Sequence, residues 1–220
     1  MCSSDLFGIA AQAEYLDHAL TALRVARATV VGVDLGAAIA LRLAATRPER
    51  VERMVLINPI AYDDVPASDV KDLQKNTGRY ALRISRGILG AAPLMRDLLT
   101  QSVADASTNM PDKLVARYLA PYVGSEGLNH LLILARSIDG EDLDEIELTQ
   151  IDQPTLIVWG EQDHFLAHRG RDKAAPERLA EEIPGCRIAR LPNVGRLVPE
   201  ESPEALINLV LEFDGANAAR

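Results

Sequence analysis

Two rhythms of apolar residues run along this chain. Short aliphatic and β-branched runs, Ala28-Thr29-Val30-Val31, Val51–Asn58 (VERMVLIN), Pro154–Gly160 (PTLIVWG) and Cys186–Leu191 (CRIARL), read as buried strands. Around them the apolar positions fall at helical spacing. Ile9 to Val25 predicts a helix with Ala10, Ala13, Leu16, Leu20 and Leu23 along one face. Residues 37–47 predict a second helix, closed by Arg47-Pro48-Glu49-Arg50, and residues 174–183 a third. Ser202-Pro203-Glu204 marks a helix start, with Ser202 as cap, Pro203 in the first turn, and Leu206, Ile207, Val210, Leu211 and Phe213 behind them. Strands alternating with helices predict an α/β fold with a parallel sheet. The pattern divides the chain into a first core part, 1–61, a mostly helical insertion, 62–148, and a second core part, 149–220.

Ligands of such sheets gather at the carboxyl ends of the strands. Asp34, Asp163 and the loop 192–199 all fall there. Gly32-Val33-Asp34-Leu35-Gly36 is the densest of these signals, joining an apolar strand to a small-residue helix, Ala37-Ala38-Ile39-Ala40-Leu41. It reads as a sharp turn whose central residue is strained and whose flanking residues, two before and two after, must be small. A carboxylate held up there is a candidate covalent nucleophile. The alternative is an ordinary turn in which Asp34 caps the following helix.

The motifs then extend the picture. VVGVDLG, RPERVERMVLINP, PTLIVWGEQD and LPNVGRLVPEESPEAL together resemble the α/β-hydrolase superfamily over residues 8–215, and most closely its aspartate-nucleophile branch of dehalogenases and epoxide hydrolases. The resemblance implies the C-terminal half of that fold's parallel sheet, strands equivalent to five through eight, with 62–148 as a helical cap. It implies Asp34 as nucleophile, Asp163 as the acid that orients the base, and the Leu35 N–H as an oxyanion contact. Many members carry tryptophan at the position of Leu35, which weakens the haloalkane dehalogenase reading in particular. Cap tyrosines of epoxide hydrolases donate to the epoxide oxygen, a role open to Tyr80, Tyr118 and Tyr122, which read equally as packing residues. Trp159 reads as core.

Two departures cut against activity. The family's histidine base precedes the last helix, and there this chain reads Gly195-Arg196-Leu197-Val198-Pro199-Glu200. An aspartate can displace a halide or open an epoxide unaided, but hydrolysis of the resulting ester needs a base, and a guanidinium is effectively never deprotonated. Four accounts of Arg196 stay open: a lost base, with Arg196 bridging Asp34 and Asp163; a base from His164, His168 or His130; a one-base sequence error; or a variant chemistry. The first is preferred, giving a chain inactive for turnover, with a non-catalytic ligand-binding member of the fold as the alternative. The second departure is that only residues 1–27 precede the elbow strand, with nothing resembling the family's first four strands. Cys2 to Leu6 can be encoded by the end of a common sequencing-library adapter, so the expectation is that residues 1–6 are translated adapter on a gene cut short. A bare β edge is then expected to favour self-association.

Composition narrows the partners. A net charge of −9 over 220 residues argues against nucleic acid and anionic membranes, leaving a small-molecule substrate as the expected partner. Cys2 and Cys186 form no disulfide framework, and neither a cofactor motif nor a metal-ligand cluster is visible. No signal peptide is visible, which points to the cytoplasm. The acidic run Asp139–Glu147 reads as a solvated link between insertion and core.

Overall fold

The computed structural model describes residues 5–62, 71, 74–75, 92–138, 141–164 and 173–215. Four strands, β1 (Ala28–Val33), β2 (Val51–Ile57), β3 (Thr155–Gly160) and β4 (Arg187–Leu191), form one sheet in the order β1-β2-β3-β4. All three pairings are parallel, with Val33 opposite Ile57, Ile57 opposite Val158 and Gly160 opposite Leu191. Sequential order and parallel direction require a crossover between each pair. These are supplied by α2 (Leu35–Thr46), by the segment containing α3 (Ala92–Ser102), α4 (Asp112–Leu119) and α5 (Gly124–Ser137), and by α6 (Ala175–Glu182).

Alternation along the strands assigns the two faces. Met54, Leu56, Ile157 and Trp159 pack with α1 (Ile9–Ala22), α2 and Leu179 of α6. Val55, Ile57, Leu156 and Val158 pack with Val198 of the single-turn α7 (Val198–Glu201) and Phe213 of α8 (Pro203–Gly215). β3 is buried at every residue, as a central strand covered on both faces must be. The expected four strands and the helices around them are therefore present, with ends shifted by a few residues. β1 continues to Val33 and α2 begins at Leu35, which leaves Asp34 alone between them.

Two expectations fail for physical reasons. α1 ends at Ala22, so Leu23 leaves the helical face and is exposed. Ile207 and Leu211 are 55% and 64% exposed, because the sheet needs only the stripe of Leu206, Leu209, Val210 and Phe213. In the described part of the acidic run, 141–147, Glu141, Asp144, Glu145 and Glu147 are exposed, and the segment is also tied to the core. Asp142 accepts the Ala10 N–H at the start of α1 (2.9 Å), its carbonyl accepts from Arg42 (2.8 Å), and Glu145 pairs with Arg42 at 2.9 Å. A carboxylate beside a helix N-terminus satisfies an otherwise orphan donor and the helix dipole together.

β1 is an edge of the sheet among the described residues. Its residues carry no charge, and Val31 is 49% exposed. The opposite edge, β4, presents Arg187 and Arg190. Near the end of α8, Asp214 accepts from Thr29 of β1 (3.2 Å) and Arg53 of β2 (2.9 Å). No described helix is long and apolar enough to cross a membrane. An uncharged edge with the exposed apolar Val31 is expected to drive concentration-dependent association, and Val31→Lys to raise the monomer fraction in sedimentation velocity. A native chain that stays monomeric at high concentration contradicts this.

Candidate active site

The elbow is a turn made by close backbone contact. Asp34 has φ 55° and ψ −116°, a conformation L residues rarely adopt and one that costs on the order of 1–3 kcal/mol. Its N–H donates to Ile57 O (2.9 Å) and its carbonyl accepts from Ala37 N–H (3.0 Å), which ties the turn to both β2 and α2. A Cβ on Gly32 would lie 2.4 Å from Gly36 O and 2.7 Å from Ala37 Cα, so the residue two before Asp34 must be glycine. The matching expectation for the residue two after it is corrected. A Cβ on Gly36 would meet nothing within 4 Å, because Gly36 presents its backbone, not its side-chain position, to the strand.

Asp34 sits at the helix N-cap but makes no side-chain cap bond. Its carboxylate goes to Arg196. Arg196 Nε donates to Asp34 Oδ2 (3.0 Å) and Nη2 to Oδ1 (2.6 Å), a two-point fork. The same guanidinium reaches Asp163, from Nη1 to Oδ2 at 3.2 Å. Asp163 lies beyond β3, its N–H held by Gly160 O (3.0 Å) and its side chain 0% exposed, against 13% for Arg196 and 40% for Asp34. The structure thus brings Asp34, Asp163 and Arg196 together. Burial alone would lower the Arg196 pKa; the charges of Asp34 and Asp163 and their hydrogen bonds outweigh it and hold the guanidinium above its ordinary value.

The loop carrying Arg196 is pinned on every side. Arg196 N–H donates to Ser102 O (2.7 Å) at the end of α3. Glu201 accepts three backbone N–H groups, from Ala104 (2.7 Å), Gly195 (2.9 Å) and Leu197 (3.2 Å). A Cβ on Gly195 would fall 2.6 Å from Ser102 O, and one on Gly160 would fall 2.1 Å from Gly195 O, so strand, loop and insertion meet backbone to backbone. Buried Asn58, with φ 41°, donates from Nδ2 to the carbonyls of Gly195 and Arg196, both at 2.9 Å, and accepts from Gly160 N–H at 2.8 Å. Sequence reasoning passed over Asn58 and Glu201. The signal for Asn58 was a lone amide ending an otherwise apolar strand.

The other candidates lie elsewhere or do other work. Leu35 opens α2, so its N–H is among the helix donors without an intrahelical acceptor. His164 follows Asp163 and is exposed, as is His130 on α5. His168 and Tyr80 lie outside the described residues. Tyr118 donates to Glu200 (2.7 Å), and partial burial with that carboxylate pushes its pKa up to about 12. Tyr122 packs on Leu128 and Leu132. Trp159 is buried in the core beneath Arg190, whose guanidinium stands 4.6 Å from the ring centroid.

Residues 2–188 match the alpha/beta hydrolase fold family. The chain belongs to that family. Among curated hydrolases of the fold, it is 25% identical over 191 residues to the uncharacterized hydrolase YugF of Bacillus subtilis, covering 87% of this chain and 66% of that protein. It is 24% identical over 200 residues to a 2-hydroxy-6-oxo-6-phenylhexa-2,4-dienoate hydrolase of Burkholderia cepacia, covering 88% of this chain and 65% of that enzyme. The chain therefore spans about two thirds of the length of these relatives. An alpha/beta hydrolase fold protein from Burkholderia ambifaria superposes with a TM-score of 0.74 at 22% identity, over 93% of this chain and 73% of its own. That likeness is one of fold.

The hydrolase elbow yields a paired expectation. Gly32→Ala should unfold or strongly destabilise the chain in thermal melts, while Gly36→Ala, free of contacts in a helix, should be neutral or stabilising by about 0.4–1 kcal/mol. Similar losses for both would contradict the asymmetry. Arg196→Ala removes a charged hydrogen-bond partner from both carboxylates and should cost about 2–3 kcal/mol in denaturant unfolding. Because the Arg196 pKa is raised, its stabilising contribution is complete below the ordinary arginine value and lost only as pH climbs through the raised one. The cost of Arg196→Ala should then be constant between about pH 6 and 10; a cost that fades within that window would show the guanidinium is not the charged partner.

Proposed function

We propose that this chain carries the aspartate-nucleophile site of an alpha/beta hydrolase in a form that does not turn over. The reading rests on one observation, the Arg196 guanidinium paired to both Asp34 oxygens and reaching Asp163 from the position where the family places its base. On this reading the four strands correspond to strands five through eight of the family's sheet, and the helices between β2 and β3 to its cap.

The chemistry follows from the groups present. An Asp34 oxygen attacks an electrophilic carbon of a halide or epoxide. A carbon–oxygen bond forms as the carbon–halogen bond breaks and halide leaves, or as the ring C–O bond breaks and the alkoxide takes a proton from water. Attack requires Arg196 to give up at least one Asp34 oxygen, so the same fork that orders the carboxylate slows it. The second half-reaction needs a water stripped of its proton as it attacks the ester. A guanidinium that is already protonated, and held so by Asp34 and Asp163, does not accept that proton. Carboxylic esters fare no better, since the tetrahedral route also needs a base.

The pairing favours a second reading equally concretely. With both oxygens of Asp34 occupied, the site can serve as a fixed polar floor under a bound ligand, without covalent chemistry. Intact-mass spectrometry of the chain incubated with bromoalkanes and terminal epoxides separates the two. The expected result is at most one alkyl group per chain, located on Asp34, with no accumulating alcohol or diol. Arg196→His should then release product beyond one equivalent. Multiple turnover by the native chain would overturn the proposal. Ligand binding with neither adduct nor product would favour the binding role.

A further inference from the structure

We propose that Asn58 is a positioning residue of this site, the side chain that, with Glu201 holding the neighbouring N–H groups, sets where position 196 stands relative to Asp34 and Asp163. The inference rests on the reading of position 196 as the family's base position, and adds to it a residue that touches none of the reacting atoms.

The connections converge on two adjacent residues at the end of β2. Ile57 O receives the Asp34 N–H, so the nucleophile turn is registered on β2 one residue before Asn58. Asn58 Oδ1 receives the Gly160 N–H, and Gly160 O in turn receives the Asp163 N–H, so the acid is registered on the same amide. Asn58 Nδ2 uses both hydrogens, one on Gly195 O and one on Arg196 O. With Ser102 O on the Arg196 N–H, the peptide units on both sides of that residue are fixed. Its side chain is aimed by its backbone.

The chemistry of the position admits few residues. It needs two donors and one acceptor on one short planar group, which is the inventory of an amide. It also needs a side chain that tolerates positive φ, where asparagine is enriched. Aspartate has the same shape, but would set carboxylate oxygens against the carbonyls of Gly195 and Arg196 in a fully buried place. A shorter hydroxyl cannot span both carbonyls. Neither variant removes the Asn58 backbone N–H to Val158 O, which holds β2 to β3.

The test reads the aim of the side chain directly. In ¹⁵N-arginine NMR of the native chain, the Arg196 Nε–H should be slow to exchange. Asn58→Asp and Asn58→Ser should speed that exchange about tenfold or more while the cooperative melt is kept. An unchanged Arg196 signal in either folded variant overturns the proposal. Should neither variant fold, hydrogen exchange of the native chain decides: the Asn58 side-chain amide and Gly160 N–H must be protected, and rapid exchange of both overturns it. In an Arg196→His background that turns over, Asn58→Asp should lower kcat on the order of tenfold or more with KM little changed, as misaimed catalytic groups do. Equal kcat values count against the positioning role. If Arg196→His shows no turnover, the functional reading fails while the NMR arm still judges Asn58.

Discussion

The charged groups at the carboxyl end of this sheet depend on one guanidinium held between two carboxylates. Two negative groups brought to one site repel, and one of them would ordinarily take up a proton. Arg196 removes that conflict with a fork on Asp34 and with Nη1 on the Asp163 carboxylate, and its own burial is offset by the charges it faces. With both oxygens hydrogen-bonded to a permanent cation, the Asp34 carboxylate is held in one orientation.

The scaffold reaches this arrangement by letting backbones touch. Gly32 lies against Gly36 and Ala37, Gly160 against Gly195, and Gly195 against Ser102 to Ala104. Each contact shortens the distance between an element end and the next, and together they draw three loops within reach of one side chain. Glu201 and Asn58 then consume the backbone donors and acceptors that such tight packing leaves buried. That is why an insertion far along the chain, through Ser102 and Ala104, is joined to the last loop of the core.

Much of the fold was legible in the residues because periodicity reports burial. The central strands at 51–57 and 155–160 carry the apolar runs that a sheet covered on both sides requires, while the edge strands at 28–33 and 187–191 are only partly covered. The elbow was legible from Gly32 and Asp34, and the position of Arg196 from the Pro199-Glu200 that follows it. What periodicity cannot report is surplus. Ile207 and Leu211 share the helical stripe of α8 yet stay exposed, since a stripe says which face can be buried and not how much of it is covered. Nor does it report polar partners distant in sequence. Asp142 on the first turn of α1, Glu201 on Ala104, and Asn58 on Arg196 each join segments about 100 or more residues apart, and one charged or amide residue looks like any other until the chain folds. Gly36 shows the opposite error, a family pattern read as a steric need that this turn does not have.

The Asp34–Arg196 pair can be measured without any assumption about substrate. A double-mutant cycle of Asp34→Asn and Arg196→Gln, followed by urea unfolding at neutral pH, isolates the energy of that pair from the cost of altering either residue. A favourable coupling of about 1–3 kcal/mol is expected for a partly buried two-point ion pair. Independent, additive effects of the two substitutions would contradict it.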